Sequence, residues 1–305
     1  MDRLHLMTVF AAVGEEQSFA GGARRLGMSP PAVTRAIAAL EARLGVRLLE
    51  RTTRHVRVTE AGQRYLDDAR RIIAEIDEAD EAAAGSNAAP RGHLAVTAPV
   101  LFGRIYVTPG IVDYLRRYPH MEVNAMFVDR VTNLMEEGLD VGVRIGELPD
   151  SSLRAVPVGR VRRVICASPA YLERHGAPRT PRDLAAHTIV SSTGSSAPPD
   201  WRFTRDGRAQ ALRLKPRLTV NSNDAAIEAL RDGFGVARLL SYQAAPLLAS
   251  GELREVLEDY ATPGVPVNIV HRDSRQGSPR IRSFVDLMVE RLRAEPNLQT
   301  GPYGL

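Results

Sequence analysis

The chain has 305 residues, a formal net charge of +4, 44% hydrophobic and 25% charged residues, a balance that suits a globular protein of about two domains. No apolar run approaches the roughly 20 residues of a membrane helix. Cys166 is the single cysteine, which excludes an intramolecular disulfide framework and a cysteine-rich metal site, and a buried structural thiol is its expected role. Glu15 and Glu16 follow the apolar start without a small-residue cleavage site, so a secretory leader is not expected and the expected compartment is the cytoplasm. Residues 1–58 carry nine arginines against five acids, whereas residues 59–84 carry three against eight. Basic charge is thus gathered in the first module, where phosphates can be met.

Leu4, Met7, Phe10, Ala11 and Val13 follow helical spacing, and Gly14 is expected to end the run. Ser18 is the expected N-cap of a short second helix, FAGGARRL, stopped by Gly27. Gly21 and Gly22 inside it cost about 1 kcal/mol each unless a close helix contact compensates. Ser29 is the expected cap of a third helix, with Pro30 at its first position and Gly45 at its end. Val33, Ile37, Leu40 and Leu44 mark its buried stripe, which leaves Thr34 and Arg35 on the other side. The short helix, the Gly27-Met28 turn and the third helix make a helix-turn-helix, whose last helix enters the major groove. LLERTTRHVRVTEAG then alternates basic and apolar residues as a two-stranded wing does, and its arginines are suited to the DNA backbone or minor groove.

From Thr59, an expected N-cap, Tyr65, Ala69, Ile72, Ile76, Ala79 and Ala83 recur at heptad spacing. This seam, on a helix of roughly 40 Å, predicts pairing with a second copy, burial against its own domain being the alternative. GSNAAPRG, residues 85–92, reads as a hinge linker. After it, short strands alternate with helices: HLAVTA, a helix through Tyr118, VNAMFV, a helix at NLMEEG, DVGVRI, then VICAS, HTIVSS, WRF, RLTV, the helix NDAAIEALRDG, GVARLL, the strand VPVNIVHR and a closing helix SPRIRSFVDLMVERLRAE. The expected architecture is multi-domain. It comprises an all-α-rich winged helix-turn-helix (1–58), a coiled-coil helix (59–84), a hinge (85–92) and an α/β two-lobed domain (93–295), followed by a loose tail (296–305). Its first lobe covers about 93–162 and 268–295 and its second about 163–267. Two halves joined by crossing strands leave a cleft for a ligand.

SFAGGARRLGMSPPAVTRAIAALEARLGVRLLERTTRHVRVTEAG, residues 18–62, resembles the DNA-binding signature of the LysR-type transcriptional regulators. GHLAVTAPVLFGR, YPHMEV, LMEEGLDVGVRIGELPDSSL, VICASPAYLERHG and Gly233-Phe234-Gly235 follow in that family's order. The resemblance implies a regulatory domain similar to type 2 periplasmic solute-binding proteins and a dimer through residues 59–84, usually a dimer of dimers. It also implies an interrupted palindrome in double-stranded DNA as target, a small-molecule effector and no other cofactor or metal. Contact with the transcription machinery is implied if the protein is an activator, and no membrane partner is expected.

Carried onto this sequence, the expected DNA contacts are Ser18, Pro30, Pro31, Thr34, Arg35, Arg51 and Arg54. Pro30 stands where the family often has glutamine and has no side-chain donor, so van der Waals reading of a base, such as a thymine methyl, is expected there. The expected effector contacts begin with Ala98, Pro99, Val100 and Leu101, a helix start whose N–H groups can accept a carboxylate. Apolar side chains replace the family's frequent Ser or Thr in that turn. Asp129, Arg144 and Gly146 follow from the first lobe, and Ser192, Thr193, Asn221 and Ser222 from the second. Arg144 is the expected counter-ion of an acidic effector. A catalytic site is not expected: STGSS lacks the G-x-S-x-G frame, no P-loop or zinc-binding spacing occurs, and the seven histidines are scattered. The helix-turn-helix also argues against a stand-alone solute receptor.

Overall fold

The computed structural model describes residues 2–51, 56–84, 89–148, 153–193, 200–260, 264–272 and 278–299. They form two compact units, one on residues 1–88 and one on those from 89 onward, the short segments 135–138 and 276–279 aside. In the first unit, α1 (Arg3–Glu16), α2 (Phe19–Arg25) and α3 (Pro30–Leu44) precede an antiparallel wing of β1 (Leu49–Arg51) and β2 (Val56–Val58), and α4 (Glu60–Ala84) follows. Apolar residues of α1 and α3 share one core with Leu48, Leu49 and Leu66.

Gly14 does not end α1. It lies inside the helix, where an added Cβ would stand 3.3 Å from the Leu66 side chain, so it is the seat on which α4 packs. The helix ends instead at Gln17, in the left-handed conformation. A Cβ at Gly22 would meet Val13 Cγ2 at 2.8 Å, and this approach of α1 to α2 is the compensation that the helix glycines require. The Ser18 hydroxyl accepts the Gly21 N–H at 3.1 Å, and that of Thr59 accepts the Gly62 N–H at 2.9 Å, so both cap as expected. Ser29 holds the N-cap position of α3 without a side-chain cap bond. Its backbone carbonyl instead accepts from Ala32 and Val33, and Pro30 has no N–H to satisfy.

Glu15 accepts hydrogen bonds from Arg25 of α2 and, at 2.8 Å, from Arg70 of α4. Burial alone would raise its pKa, but the hydrogen bonds and charges of these two arginines outweigh burial and lower it. A carboxyl group depressed on folding contributes stability above its unfolded pKa and loses it as pH falls through the folded one. Glu15→Gln is therefore expected to cost about 1 kcal/mol at neutral pH. Urea titrations should show this gap shrinking as the medium is acidified below the ordinary carboxylate range; a gap that persists in acid would refute the coupling.

The heptad seam is divided. Tyr65 packs on Phe10, with ring centroids 5.6 Å apart, and Ala69 is fully buried. That end of the seam serves the chain's own core, because the spacing that suits a coiled coil also suits packing on α1, and Ala69 has no surface left for a second copy. Ile72 and Ile76 are half-buried, and the side chains of Ala79 and Ala83 lie outside the described residues.

The second unit holds two five-stranded sheets. This unit begins with β3 (Gly92–Ala98), α5 (Val100–Phe102), a π-turn at Gly103–Val107, α6 (Thr108–Arg117), β4 (Met121–Phe127), β5 (Val141–Ile145) and β6 (Leu153–Val161). It continues through β7 (Arg163–Ala167), α7 (Pro169–His175), β8 (Ile189–Ser192), the hairpin β9 (Asp200–Arg205) and β10 (Arg208–Arg213), β11 (Leu218–Val220), α8 (Asn223–Arg231), β12 (Val236–Leu240), α9 (Ser241–Ala249) and β13 (Arg254–Val256). β14 (Val265–Arg272) and α10 (Pro279–Arg293) close it. The sheet orders are β4-β3-β5-β14-β6 and β11-β8-β12-β7-β13. Each sheet mixes parallel neighbours with antiparallel crossing strands, the two-lobed arrangement anticipated from the alternating pattern.

Three expectations need correction here. NLMEEG is not a helix: residues 134–138 form a turn, and Leu134 and the following Leu139 pack on Val270, a contact between distant segments that local pattern does not carry. The return to the first sheet occurs at Val265 rather than at 268, because β14 pairs with β6 from Val265 opposite Val161. The residues from 296 to 299 are not loose. A 3₁₀ turn at Pro296–Leu298 buries Leu298 fully, against Gly159. Cys166 is fully buried in β7, and burial, with the charge of Glu255 adding, pushes its thiol up to about 12, which suppresses the reactive thiolate.

Candidate DNA-binding face and effector cleft

α3 buries Val33, Ala36, Ile37 and Leu40. Its other flank exposes Pro30, Pro31 and Arg35, with Thr34 half-buried beside them. The Glu41 carboxylate accepts the N–H groups of Leu48 and Leu49 at 2.8 and 3.1 Å, which ties the last turn of α3 to the start of the wing. Helix and wing are therefore held in one fixed relation. Ser18 is half-buried, its hydroxyl engaged in capping α2. Arg51 is placed only by its backbone, opposite Val56 in the wing, and Arg54 lies outside the described residues.

In the second unit two adjoining cavities, of about 700 and 460 Å³, open between the lobes and share Gly146, Glu147, Arg163, Arg238 and Val265 as lining. These volumes are those of small-molecule sites. Of the anticipated effector contacts, Arg144 and Gly146 line the smaller cavity. The Arg144 guanidinium also donates to the Thr132 carbonyl at 2.8 Å and to the Thr132 hydroxyl, so it is oriented by the first lobe. Asn223 and Gln243 line the same cavity and are buried. Gln243 accepts the Leu240 N–H at 2.8 Å, which fixes the turn from β12 into α9.

The remaining anticipated residues line neither cavity. Ala98 and Leu101 are buried, and the Val100 N–H already donates to the Asp129 carboxylate at 3.0 Å, so the expected free donor at Val100 has an internal acceptor. Burial raises the Asp129 pKa, the Val100 hydrogen bond opposes the rise, and the negative charge of Asp224 adds to it. Asp224 also meets Arg104 at 3.0 Å, joining the two lobes. Thr193 gives both its N–H and its hydroxyl to the Val220 carbonyl, at 2.8 and 3.3 Å, and the Ser222 hydroxyl caps α8 by accepting the Ala225 N–H at 3.4 Å. Ser192 and Asn221 stand beside them, at the ends of β8 and β11.

Sequence reasoning missed Arg163, Arg202 and Arg238, which line the larger cavity. The signal was present in part. An arginine inside the apolar run VARLL is unusual for a buried strand, and in WRF the arginine alternates with two buried aromatics as a strand's open face does.

A winged helix-turn-helix followed by a two-lobed ligand domain defines a ligand-responsive DNA-binding regulator. Residues 4–63 match the family described as "Bacterial regulatory helix-turn-helix protein, lysR family", and residues 87–293 match the "LysR substrate binding domain". The chain is 31% identical to the "Probable HTH-type transcriptional regulator LtrA" of Klebsiella pneumoniae, over 83% of this chain and 82% of the relative. It is 32% identical to the "HTH-type transcriptional regulator CrgA" of Neisseria meningitidis serogroup C (strain 8013), over 94% and 96%. The solved structure of CrgA from Neisseria meningitidis matches with a TM-score of 0.62 at 31% identity, over 94% of this chain and 98% of that one. The full-length structure of AphB from Vibrio cholerae, at 23% identity and a TM-score of 0.64, over 95% and 99%, shares the fold.

The chain belongs to the family of LysR-type transcriptional regulators. It is a DNA-binding regulator with an effector-binding domain, not an enzyme. No described helix is long and apolar enough to cross a membrane, and no cluster of three or more metal-ligating side chains occurs among the described residues.

Proposed function

We propose that this regulator works in the cytoplasm as a dimer, paired through the distal part of α4 and able to pair again into a tetramer. It reads an interrupted palindrome with the exposed flank of α3. The observation that carries this reading is the two-sided character of α3: one face closes the core, while Pro31, Thr34 and Arg35 project from the other. Thr34 and Arg35 contact bases or phosphates, Pro30 and Pro31 make apolar base contacts, and Ser18, Arg51 and Arg54 meet the backbone or minor groove. The division of α4 supports the pairing. Its packing on the first unit's core ends at Ile73 among the described residues, while the helix continues to Ala84.

On this reading, residues 1–58 read DNA, 59–84 pair, 85–92 form the hinge and 93–295 sense the effector in the cleft between the lobes. The effector favours one lobe arrangement and so alters how the paired modules sit on DNA. Gel-shift titrations of the full chain test the DNA contacts. Arg54→Ala is expected to weaken operator and random duplex alike and to flatten the salt dependence. Thr34→Ala should mainly blunt sequence preference, by about tenfold between operator and random DNA. Variants that retain both affinities would remove these residues from the interface.

A further inference from the structure

The wall of the larger cavity is built by strand register. β12 pairs with β7 so that Arg163 stands opposite Leu240 and Arg238 opposite Ile165. Side chains alternate along a strand, so Arg163 and Arg238 share one face of the second sheet as diagonal neighbours, roughly 7–8 Å apart. In the hairpin, Asp200, Arg202 and Thr204 face the cavity, whereas Trp201 and Phe203 alternate with them and are buried in a separate core cluster. The Arg238 guanidinium lies 5.3 Å from the centre of the Trp201 ring and donates to the Asp200 carbonyl at 3.3 Å. It is therefore fixed before any ligand arrives.

The charge along this wall is uneven. Among the described residues, Arg160, Arg163, Arg202 and Arg238 line the cavity with two acids, Glu147 and Asp200, and Asp200 is bonded to Arg213 at 3.1 Å. Burial, then the positive charge of Arg163, brings Arg238 down to about 10, and burial with the charge of Arg202 lowers Arg163. Confining like charges in a half-buried pocket is unfavourable, and an anion placed among them relieves both the repulsion and the lost hydration.

We propose that the effector is a small organic anion with two or more negative charges, its acidic groups seated on Arg163, Arg202 and Arg238. This rests on the reading of the interlobe cleft as the effector site. Planar guanidinium groups bind carboxylate and phosphoryl oxygens in the same bidentate manner, so both sources of charge fit.

The test uses the full-length protein at constant ionic strength, with citrate, glycerol 3-phosphate and benzamide followed by calorimetric titration and thermal shift. Citrate or glycerol 3-phosphate is expected to bind and to raise the melting temperature, the stronger of the two identifying the acidic group. Arg163→Gln and Arg202→Gln should each weaken that binding by about tenfold or more, and Arg182→Gln, a charge removed from outside both cavities, should not. The unliganded melting temperature of each variant checks its fold. The proposal is overturned if both anions shift the protein no more than chloride does, or shift the two cavity variants as much as the wild type. Benzamide binding that survives both substitutions would also overturn it, while leaving a cleft ligand, and hence the effector reading, in place.

Discussion

Gly62→Ala is expected to destabilise the first unit by about 3 kcal/mol and to weaken operator binding with it. Gly62 lies in the first turn of α4, where a Cβ would overlap the Leu48 carbonyl oxygen and stand 2.8 Å from Val58 Cγ1. That carbonyl also accepts the Thr59 N–H at 2.9 Å, so the added methyl group must push α4 off the wing or break the bond that starts the helix. Backbone is a poor neighbour to displace, which is why the effect exceeds that of a typical surface change. Gly45 provides the contrast. It caps α3 with φ +69° and nothing within 4 Å of an added Cβ, so Gly45→Ala should cost only the left-handed penalty of about 1–2 kcal/mol, and Gly45→Asn less. Chemical denaturation of the three variants decides: equal losses at the two positions would refute the packing argument.

Arg162→Ala is expected to cost about 2–3 kcal/mol. Arg162 stands between β6 and β7, where the chain crosses from one lobe to the other. Its backbone exchanges two hydrogen bonds with Ser241, at 2.8 and 3.2 Å. Its guanidinium forks onto Glu255, with Nη2 to Oε2 at 2.7 Å, and that hydrogen bond is the main reason its pKa is raised. The Glu255 side chain is only 9% exposed, so truncating Arg162 strands a buried carboxylate. Most of the loss is the cost of that stranded charge, so Arg162→Ala with Glu255→Gln should recover about half of it. A double variant no more stable than the single one would show that the pair acts otherwise. Because Arg163 follows directly, the pair also fixes where the cavity's arginine wall begins.

Local signals carried the DNA-binding half. The stripe of Val33, Ile37 and Leu40, the proline at the start of α3 and the alternating wing each act within a few residues, and they appear in the structure where the pattern put them. The glycines divided by cause. Gly45 is a conformational stop and reads as one, whereas Gly14 is a packing seat that looks the same in sequence, because the helix that fills it arrives some fifty residues later, at Leu66. Tyr65 and Ala69 misled for a related reason: one period serves both a partner copy and the chain's own α1.

The cleft was the least legible part. Arg144 and Gly146 sit at the end of a strand whose pattern is plain. Arg163, Arg202 and Arg238 come from three separated segments and converge only through the β7–β12 register and the β9–β10 hairpin. Neither pairing is written in any local period. Two of the polar positions chosen on the second lobe are engaged where they stand, Thr193 with the Val220 carbonyl and Ser222 as a helix cap. Short polar side chains at strand ends serve backbone first, which is why residue type alone was a poor guide there.

The measurement that bears most directly on the account is the sequencing of duplex DNA captured from a random pool by the purified full-length protein at moderate salt. Two copies presenting their α3 helices to one duplex predict an enriched motif of two inverted half-sites, their centres separated by about one or two helical turns, roughly 10 or 20 base pairs. A pool without enrichment, or with one unpaired half-site, would contradict it.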